Sequence, residues 1–349
     1  MLTDTLIQEE PHAASGAVLE VEEAPAIPSL VFRRFRGAAD YPSMAAVVLA
    51  SAEADKLERA DTVEDFARAY AHLTNSDPFR DMIFAEIDGQ VAGYARGWWQ
   101  EEMDGPYIYS TTGFVVPEWR RHGIGRAMLR WVETRLREVA ADHPAARPKF
   151  YQAFANMTAE GLVALLASAG YAPVRYGHDM VRPSLEDIPD FPLPEGFEMR
   201  PVLPEHYRAI WDAEVEAFRD HWGYVIPPEE HYQVWLTHPV FFQPDLWQIA
   251  WDVATNEVAG QVKTFIDQAE NEKYHRRRGY TESISVRRPY RRRGLARALI
   301  VESLRVLRDR GMTESALGVD SQNLSGATRV YEDCGFRTVK QSAIYRKAL

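Results

Sequence analysis

The sequence contains a single cysteine, Cys334, among its 349 residues. One cysteine excludes an internal disulfide framework, so the fold must be held together by its apolar core. No stretch approaches the ~20 consecutive apolar residues that a membrane-spanning helix requires. The segment MLTDTLIQEE carries acidic groups where a secretory signal would have a basic flank and an apolar run. We therefore expect a cytoplasmic protein with no membrane partner.

Basic residues are in the minority, with 40 Lys and Arg against 51 Asp and Glu, which gives a formal net charge of −11. Such a charge repels nucleic acid and anionic lipid, so the sequence predicts no nucleic-acid partner. Metal-ligand spacing is also missing. His221 and His231 are isolated, and no cluster of His, Cys and Asp has the spacing of a metal site. The sequence therefore predicts no metal.

Two irregular stretches divide the chain. Residues 1–28 mix Glu, Ala and Pro with little hydrophobic periodicity, which predicts a disordered acidic tail. Residues 184–195 contain several prolines and acids and are interpreted as a linker. The remaining regions, 29–183 and 196–349, are each long enough for a core of their own. Two domains are therefore expected.

The two regions repeat one order of predicted elements: a strand, two amphipathic helices, a hairpin, a β-rich run, a glycine-containing turn and a long helix. Placing VVPEWRRHGIGRA over VRRPYRRRGLARA aligns Gly123 with Gly294 and Arg120 with Arg291 without a gap. A match at corresponding places in two similar units predicts a duplicated fold of mixed α/β type.

A turn of this kind, between a strand and a helix, is suited to bind an anion. It brings several unpaired backbone N–H groups and the positive end of the helix dipole to one place. Glycine leaves room for a diphosphate, and flanking arginines can add charge-assisted hydrogen bonds. A solvent-facing turn without a ligand is the alternative. The candidate binding residues are Val115, Arg120, Arg121, Gly123, Ile124, Gly125 and Arg126 in the first copy, and Val286, Arg291, Arg292, Arg293, Gly294, Leu295, Ala296 and Arg297 in the second.

These turns resemble the signature Val-x-Pro-x-x-Arg/Gln-x-x-Gly-x-Gly/Ala of the GNAT superfamily of CoA-dependent N-acetyltransferases. The first copy matches it fully; in the second, Arg288 replaces the proline and Ala296 the last glycine. The resemblance implies a mixed, α+β-like α/β protein of two tandem GNAT folds, each a central, mostly antiparallel sheet flanked by helices. It further implies that the turn holds the pyrophosphate of acetyl-CoA, with Val115 or Val286 near the pantetheine arm.

The second copy also carries a second family pattern, Asn323-x3-Ala327-x3-Tyr331-x3-Gly335-Phe336. Residues four apart line one helix face, so Asn323 and Tyr331 can both reach the cleft, although plain core packing is the alternative. By the resemblance, Asn323 is a candidate contact of the CoA, and Tyr331 protonates the CoA sulfur. Glu282 precedes Val286 by four residues on the same predicted strand face and is the candidate base; a solvent-facing carboxylate remains the alternative.

The first copy lacks both proton-transfer candidates. Thr111 aligns with Glu282, and the helix NMTAEGLVALLASAGY has no tyrosine at the position of Tyr331. Tyr109 is a reserve candidate. The first copy is therefore expected to bind a CoA-like nucleotide without turnover, and the second is expected to be catalytic.

The function implied by the resemblance is transfer of an acetyl group from acetyl-CoA to a primary amine of a small molecule, in a ternary complex. A non-catalytic acyl-CoA sensor and a protein N-acetyltransferase are the alternatives. The acceptor is expected along AEVEAFRDHWGYVIPPEEHYQVW, which mixes charge with aromatic surface. A monomer or a homodimer fits the fused arrangement.

Overall fold

The computed structural model describes residues 15–103, 105–322 and 326–349. The described residues form two compact units. Unit 1 comprises residues 15–101, 106–172 and 345–349, and unit 2 comprises the described residues of 102–105 and 173–344.

Unit 1 is a six-stranded sheet with helices. In chain order its elements are β1 (Val18–Leu19), β2 (Leu30–Arg33), α1 (Tyr41–Ala54), α2 (Val63–Tyr70), α3 (Pro78–Asp81), β3 (Met82–Ile87), β4 (Gln90–Glu101), β5 (Tyr107–Val115), α4 (Ile124–Ala141), β6 (Lys149–Asn156) and α5 (Glu160–Ser168). The strand order is β1-β2-β3-β4-β5-β6, and every pair is antiparallel except β5 with β6.

Unit 2 repeats this plan. Its elements are β7 (Ala172–Arg182), β8 (Phe197–Met199), α6 (Tyr207–Phe218), α7 (Glu229–Leu236), β9 (Gln248–Asp252), β10 (Glu257–Phe265), α8 (Gln268–Lys273), β11 (Arg278–Val286), α9 (Leu295–Asp309), β12 (Glu314–Asp320), α10 (Ala327–Asp333) and β13 (Arg337–Ala348). The order β7-β12-β11-β10-β9-β8 is antiparallel except for β11 with β12. The predicted mixed, mostly antiparallel sheet flanked by helices is confirmed in both units.

Helices cover both faces of the unit 2 sheet. Leu295, Leu299 and Leu304, on the apolar stripe of α9, are almost wholly buried and pack with Val262 of β10 in the main core. Lys263, the next residue on β10, points to the opposite face and pairs with Glu214 of α6. The alternation along β10 therefore defines an α9 face and an α6 face.

Strand β7 lies in unit 2, although the sequence places it at the end of the first copy. Residues 177–182 of β7 pair with residues 315–320 of β12 in an antiparallel ladder. Residues 345–348 of β13, at the end of the second copy, are grouped with unit 1. The repeat in the sequence and the compact units of the structure therefore divide the chain differently.

Within the described ranges, no helix combines the length and the hydropathy needed to cross a bilayer. In the same residues, no group of three or more His, Cys, Asp or Glu side chains is arranged to hold a metal ion.

Candidate active site

The turn before α9 has the geometry expected of an anion site. Gly294 is the N-cap residue and has a φ of +87°. This value lies in the left-handed region of the backbone, which residues other than glycine rarely adopt. Because no capping side chain occupies the turn, the N–H groups of the first turn remain available. Gly123 holds the same position before α4, with a φ of +92°. Both turns can therefore present backbone N–H groups to an anion.

Arg291, a predicted binding residue, bonds to three groups of the protein itself. Its Nε donates to the carbonyl of Val286 at 2.9 Å, one terminal nitrogen to Asp220 at 2.6 Å, and the other to the carbonyl of Ala217 at 3.1 Å. These bonds join the turn to the end of α6. The charge-assisted bond from Arg288 to Asp220, together with the bond from Arg291, holds the pKa of Asp220 well below its usual range.

The same clamp occurs in unit 1. Nε of Arg120 donates to the carbonyl of Val115 at 3.0 Å, and its terminal nitrogens bind Asp55 at 2.6 Å and the carbonyl of Ser51 at 3.2 Å. The arginine of the signature thus positions the turn in each unit.

The other arginines near Gly294 differ in whether protein groups already bind their guanidinium groups. Arg293 donates to the carbonyl of Glu195 and lies over the ring of Phe197, and Arg297 pairs with Asp333 of α10. Arg292 is exposed, and the described part of the chain gives it no ion-pair or hydrogen-bond partner. Arg292 is thus the cation near this turn best placed for a phosphate.

The remaining predicted turn residues fill simple roles. Ile124 and Leu295, the first residues of their helices, are buried in the cores. Gly125 and Ala296 follow them on the helices, and a Cβ at Gly125 would lie 3.4 Å from Leu165. Arg121 and Arg126 have exposed side chains. Both turns therefore expose cations beside a glycine N-cap.

Glu282 lies where β11 and β12 separate. The two parallel strands pair only over residues 278–280 and 314–316. Just beyond this ladder, Oε1 of Glu282 accepts a hydrogen bond from the backbone N–H of Gly318 at 2.8 Å. Burial, together with the charge of Asp179, raises the pKa of Glu282 to about 7, against the lowering effect of the Gly318 bond. A carboxyl with this pKa can accept a proton at neutral pH.

Tyr331 is on α10, with 7% of its surface exposed. Burial raises the pKa of its hydroxyl well above the usual value, and the charges of Glu282 and Cys334 raise it further. The hydroxyl therefore keeps its proton at neutral pH and can donate it. The buried thiol of Cys334, whose pKa is raised to about 12 by burial, is unsuited to carry an acyl group. Asn323, the first member of the predicted pattern, lies outside the described residues.

A β-bulge distinguishes the strand of Glu282 from its counterpart in unit 1. Between the pairs Gln261–Ser285 and Lys263–Glu282, β11 has one residue more than β10, and Ser283 has a φ of +49°. In unit 1, β4 and β5 pair without a shift from Gly93–Val115 to Glu101–Tyr107. A bulge takes the extra residue out of the hydrogen-bonded ladder. Beside Glu282, β11 therefore has backbone groups outside the ladder with β10, whereas β5 has none at the corresponding place in its ladder with β4.

The bulge also changes what the alignment of Thr111 with Glu282 means. Glu282 points away from α9, because its neighbour Thr281 contacts Ser303 of that helix at 3.1 Å. Thr111 faces α4, because its cross-strand partner Gly97 abuts that helix. The residues of β5 on the opposite face are Ser110 and Thr112, so neither face supplies a carboxylate at this position.

Tyr109 is not in a comparable cleft. Its side chain is fully buried, and its hydroxyl lies 2.6 Å from Nδ1 of His143, just beyond the C-terminal end of α4. The Gly123 turn is at the other end of that helix. Tyr109 is thus part of the packing around the helix end.

The α6 face beside Glu282 is rich in aromatic side chains. Lys263, the cross-strand partner of Glu282, is 6% exposed, pairs with Glu214, and lies 4.6 Å from the ring centre of Trp235. Trp247 stacks on Trp235. Sequence patterns gave no sign of this ion pair, because its members come from distant segments.

Residues 213–235, expected to meet the acceptor, comprise the end of α6, the loop after it and most of α7, and several of their side chains bond to other groups of the protein. Glu216 pairs with Arg287, and the hydroxyl of Tyr224 donates to the carbonyl of Val215. Burial lowers the pKa of His221. Trp222, 37% exposed, has Arg175 of β7 over its ring, and Arg175 in turn pairs with Asp320 of β12. Trp222 is therefore the most accessible aromatic side chain of this loop.

Comparisons with known proteins agree with this geometry. A sequence model of the acetyltransferase (GNAT) family matches residues 49–148 and 207–336, about two thirds of the chain. The mycothiol acetyltransferase of Salinispora arenicola is 28% identical over 331 residues, covering 85% of this chain and 98% of the relative. That of Thermomonospora curvata is 29% identical over 306 residues, covering 86% and 92%.

Solved structures show the same architecture. A GCN5-related N-acetyltransferase from Sphaerobacter thermophilus superposes with a TM-score of 0.70 at 26% identity, covering 92% of this chain and 96% of that one. A tandem GNAT protein from the clavulanic acid biosynthesis pathway gives a TM-score of 0.64 at 16% identity, covering 91% and 98%. The second likeness is one of fold alone.

Proposed function

Because the chain belongs to the acetyltransferase (GNAT) family and is an acyltransferase, we propose that it transfers the acetyl group of acetyl-CoA to a primary amine of a small molecule. Unit 2 carries the reaction in this proposal. The observation that supports it most directly is that Glu282, with a pKa of about 7, lies where β11 and β12 separate and acts electrostatically on Tyr331 of α10, whose pKa is raised.

In the proposed reaction, Glu282 accepts a proton from the amine, and the amine nitrogen attacks the thioester carbonyl carbon. An N–C bond forms and the C–S bond breaks. Tyr331 donates its proton to the departing thiolate, and the tyrosinate takes the second proton of the nitrogen as the amide forms, while Glu282 releases its proton to solvent. The backbone freed by the bulge at Ser283 is suited to stabilise negative charge on the carbonyl oxygen.

Acetyl-CoA fits the turn of α9 through chemistry that this chain supplies. Its pyrophosphate would meet the N–H groups after Gly294 and the exposed cation of Arg292. Arg291 fixes the turn and Val286 relative to α6. Because of its place in the second family pattern, Asn323 is also proposed to contact the CoA.

The names of the relatives guide the choice of acceptor. Since several are mycothiol acetyltransferases, a mycothiol-related amine is the first acceptor to test, followed by other small polar amines. The aromatic and charged α6 face, with Lys263, Glu214 and Trp235, is compatible with a polar molecule of this size.

The test is an acetylation assay with acetyl-CoA and a panel of primary amines, including mycothiol-related amines and lysine peptides. Product is identified by mass, and release of the CoA thiol is followed in parallel. We expect N-acetylated small molecules with the wild type and with the control Glu302→Gln, on the outer part of α9, and little product with Glu282→Gln. Preference for the peptides would favour a protein acetyltransferase.

A non-catalytic role is a second candidate for unit 1. This unit has the glycine N-cap and exposed arginines of the binding turn, but Ser110 and Thr112 where a base would be needed. We propose that it binds a CoA-like nucleotide without turnover. If the whole chain binds acetyl-CoA and acetylates none of the amines, the enzyme proposal fails and the sensor role remains.

A further inference from the structure

Gly318 of β12 lies between two carboxylate-bearing residues of neighbouring strands. On one side it is the Cα partner of Asp179 in the antiparallel ladder with β7. On the other its N–H donates to Glu282 of β11 at 2.8 Å. Paired residues of antiparallel strands are about 5 Å apart, so both acids are close to the same glycine.

The glycine allows this approach because it has no side chain. A Cβ added at Gly318 would lie 3.8 Å from Oε1 of Glu282, and any larger side chain would extend into the space beside that carboxylate. The bare backbone of Gly318 thus leaves the space between the two acids open.

Among the charged groups near Glu282, Asp179 is the one whose charge raises the pKa of that carboxyl. Lys263, its partner on β10, directs its ammonium to Glu214 of α6. Tyr331 of α10 is neutral at physiological pH because of its raised pKa. Burial disfavours ionisation of Glu282 most, and the negative charge of Asp179 adds to this effect.

Accessibility separates the two acids. Asp179 is exposed, whereas Glu282 is partly buried. An arriving cation can meet Asp179 first and then the more enclosed carboxylate. An amine with an ordinary aliphatic pKa arrives protonated at neutral pH, and it must lose that proton before it can attack a thioester.

We propose that Asp179 is a positioning residue of the acceptor site, which attracts the protonated amine of a cationic, aliphatic acceptor and keeps Glu282 basic enough to remove its proton. This inference rests on the proposed function. It adds a residue from β7, a strand that precedes the linker in the sequence, to the acceptor side of unit 2.

The test compares wild type with Asp179→Asn, Asp179→Glu and the control Asp309→Asn, which changes an exposed acid at the far end of α9. We measure kcat and KM for the best amine between pH 5.5 and 9. Asp179→Asn should raise the amine KM roughly tenfold, as expected for loss of a charged hydrogen bond. It should also move the acidic limb of kcat/KM to lower pH, by on the order of half to one unit. Asp179→Glu should restore both.

Two further measurements keep the inference open to refutation. Calorimetry of the amine with the protein–CoA complex measures the attraction without turnover. Added salt should raise the amine KM of the wild type more than that of Asp179→Asn, because exposed charges are screened. An unchanged amine affinity and an unchanged acidic limb in a folded Asp179→Asn would overturn the role of Asp179. Absence of acetylation by the wild type would instead refute the proposed function.

Discussion

Tyr331 of α10 has a raised pKa because its hydroxyl is buried and because the carboxylate of Glu282 on β11 raises the pKa further. The two groups are therefore coupled electrostatically, and their different pKa values suit them to different proton transfers. Glu282, with a pKa of about 7, exchanges its proton readily near neutrality, whereas Tyr331 keeps its proton until a stronger base appears nearby. A CoA thiolate formed by the loss of the acetyl group is a stronger base than the carboxylate of Glu282, and it is the group that receives the Tyr331 proton in the proposed reaction.

The pH dependence of the reaction should follow Glu282. The base must be deprotonated, so kcat/KM should rise with pH and level off above a midpoint near 7. Glu282→Gln should abolish this limb and lower kcat/KM by about 10²- to 10⁴-fold. Steady-state kinetics in buffers of constant ionic strength give the profile. Retention of the limb in Glu282→Gln would assign it to another group.

Tyr331→Phe should lower kcat by roughly a hundredfold, because the thiolate would have to leave without a proton donor. The affinity for acetyl-CoA, measured by calorimetry, should change little since the ring remains. Tyr345→Phe serves as a control for loss of a buried tyrosine hydroxyl elsewhere. Unchanged turnover in Tyr331→Phe would remove this residue from the mechanism.

Glu282→Gln should also be more stable than the wild type at high pH. The folded-state pKa of Glu282 is raised from the usual 4.5 to about 7, so the folded protein resists its ionisation. The stability given by the bound proton is full below about pH 4.5 and is lost as pH rises through 7. Gln can still accept the bond from Gly318. We expect the variant to be more stable by about 1–2 kcal/mol at pH 8.5, after allowance for partial exposure, and nearly equal at pH 4. Urea denaturation at both values measures the difference, and a gap independent of pH would contradict this expectation.

Arg291 and Arg292, adjacent in the sequence, should give opposite phenotypes. Arg291→Ala removes the clamp on Val286, Ala217 and Asp220, and should lower the free energy of unfolding by about 1–3 kcal/mol. Arg292→Ala should leave the melting temperature unchanged and weaken acetyl-CoA binding by about three- to tenfold. Thermal denaturation and calorimetry on both variants decide this. A normal acetyl-CoA affinity in Arg292→Ala would exclude a phosphate contact by that side chain.

The two glycine turns can be tested separately. Gly294→Glu and Gly123→Glu each add a side chain and a negative charge to one turn, while Gly294→Asn and Gly123→Asn control for the left-handed backbone, which asparagine tolerates better than most residues. We expect acetyl-CoA titrations to show loss of the catalytic site only in Gly294→Glu. A second site lost only in Gly123→Glu would support nucleotide binding by unit 1, and a single site unaffected by Gly123→Glu would contradict it.

The repeat and the turns could be predicted because their causes are local. Glycine at 123 and 294 is needed for backbone angles at single positions, and the long helices show their apolar stripe in the sequence. The candidate acid and base stay predictions, made from the family resemblance together with spacing along one strand and one helix.

Features that depend on distant residues could not be predicted. The arginine of the signature looked like a phosphate ligand, but Asp220 and Asp55, which bind Arg291 and Arg120, are about 70 residues away in sequence. The bulge at Ser283 inserts one residue without any local mark, since serine has no special preference for a positive φ. The position of Asp179 near Glu282 could not be predicted, because only the ladder of β7 with β12 brings the two residues together.

The membership of β7 in unit 2 constrains how such a gene can be divided. A protein made from residues 196–349 alone would lack the strand that pairs with residues 315–320 of β12, and would expose an unpaired edge there. It would also lose Asp179. Division of the gene at the linker would therefore separate the strand β7 from the sheet that it completes.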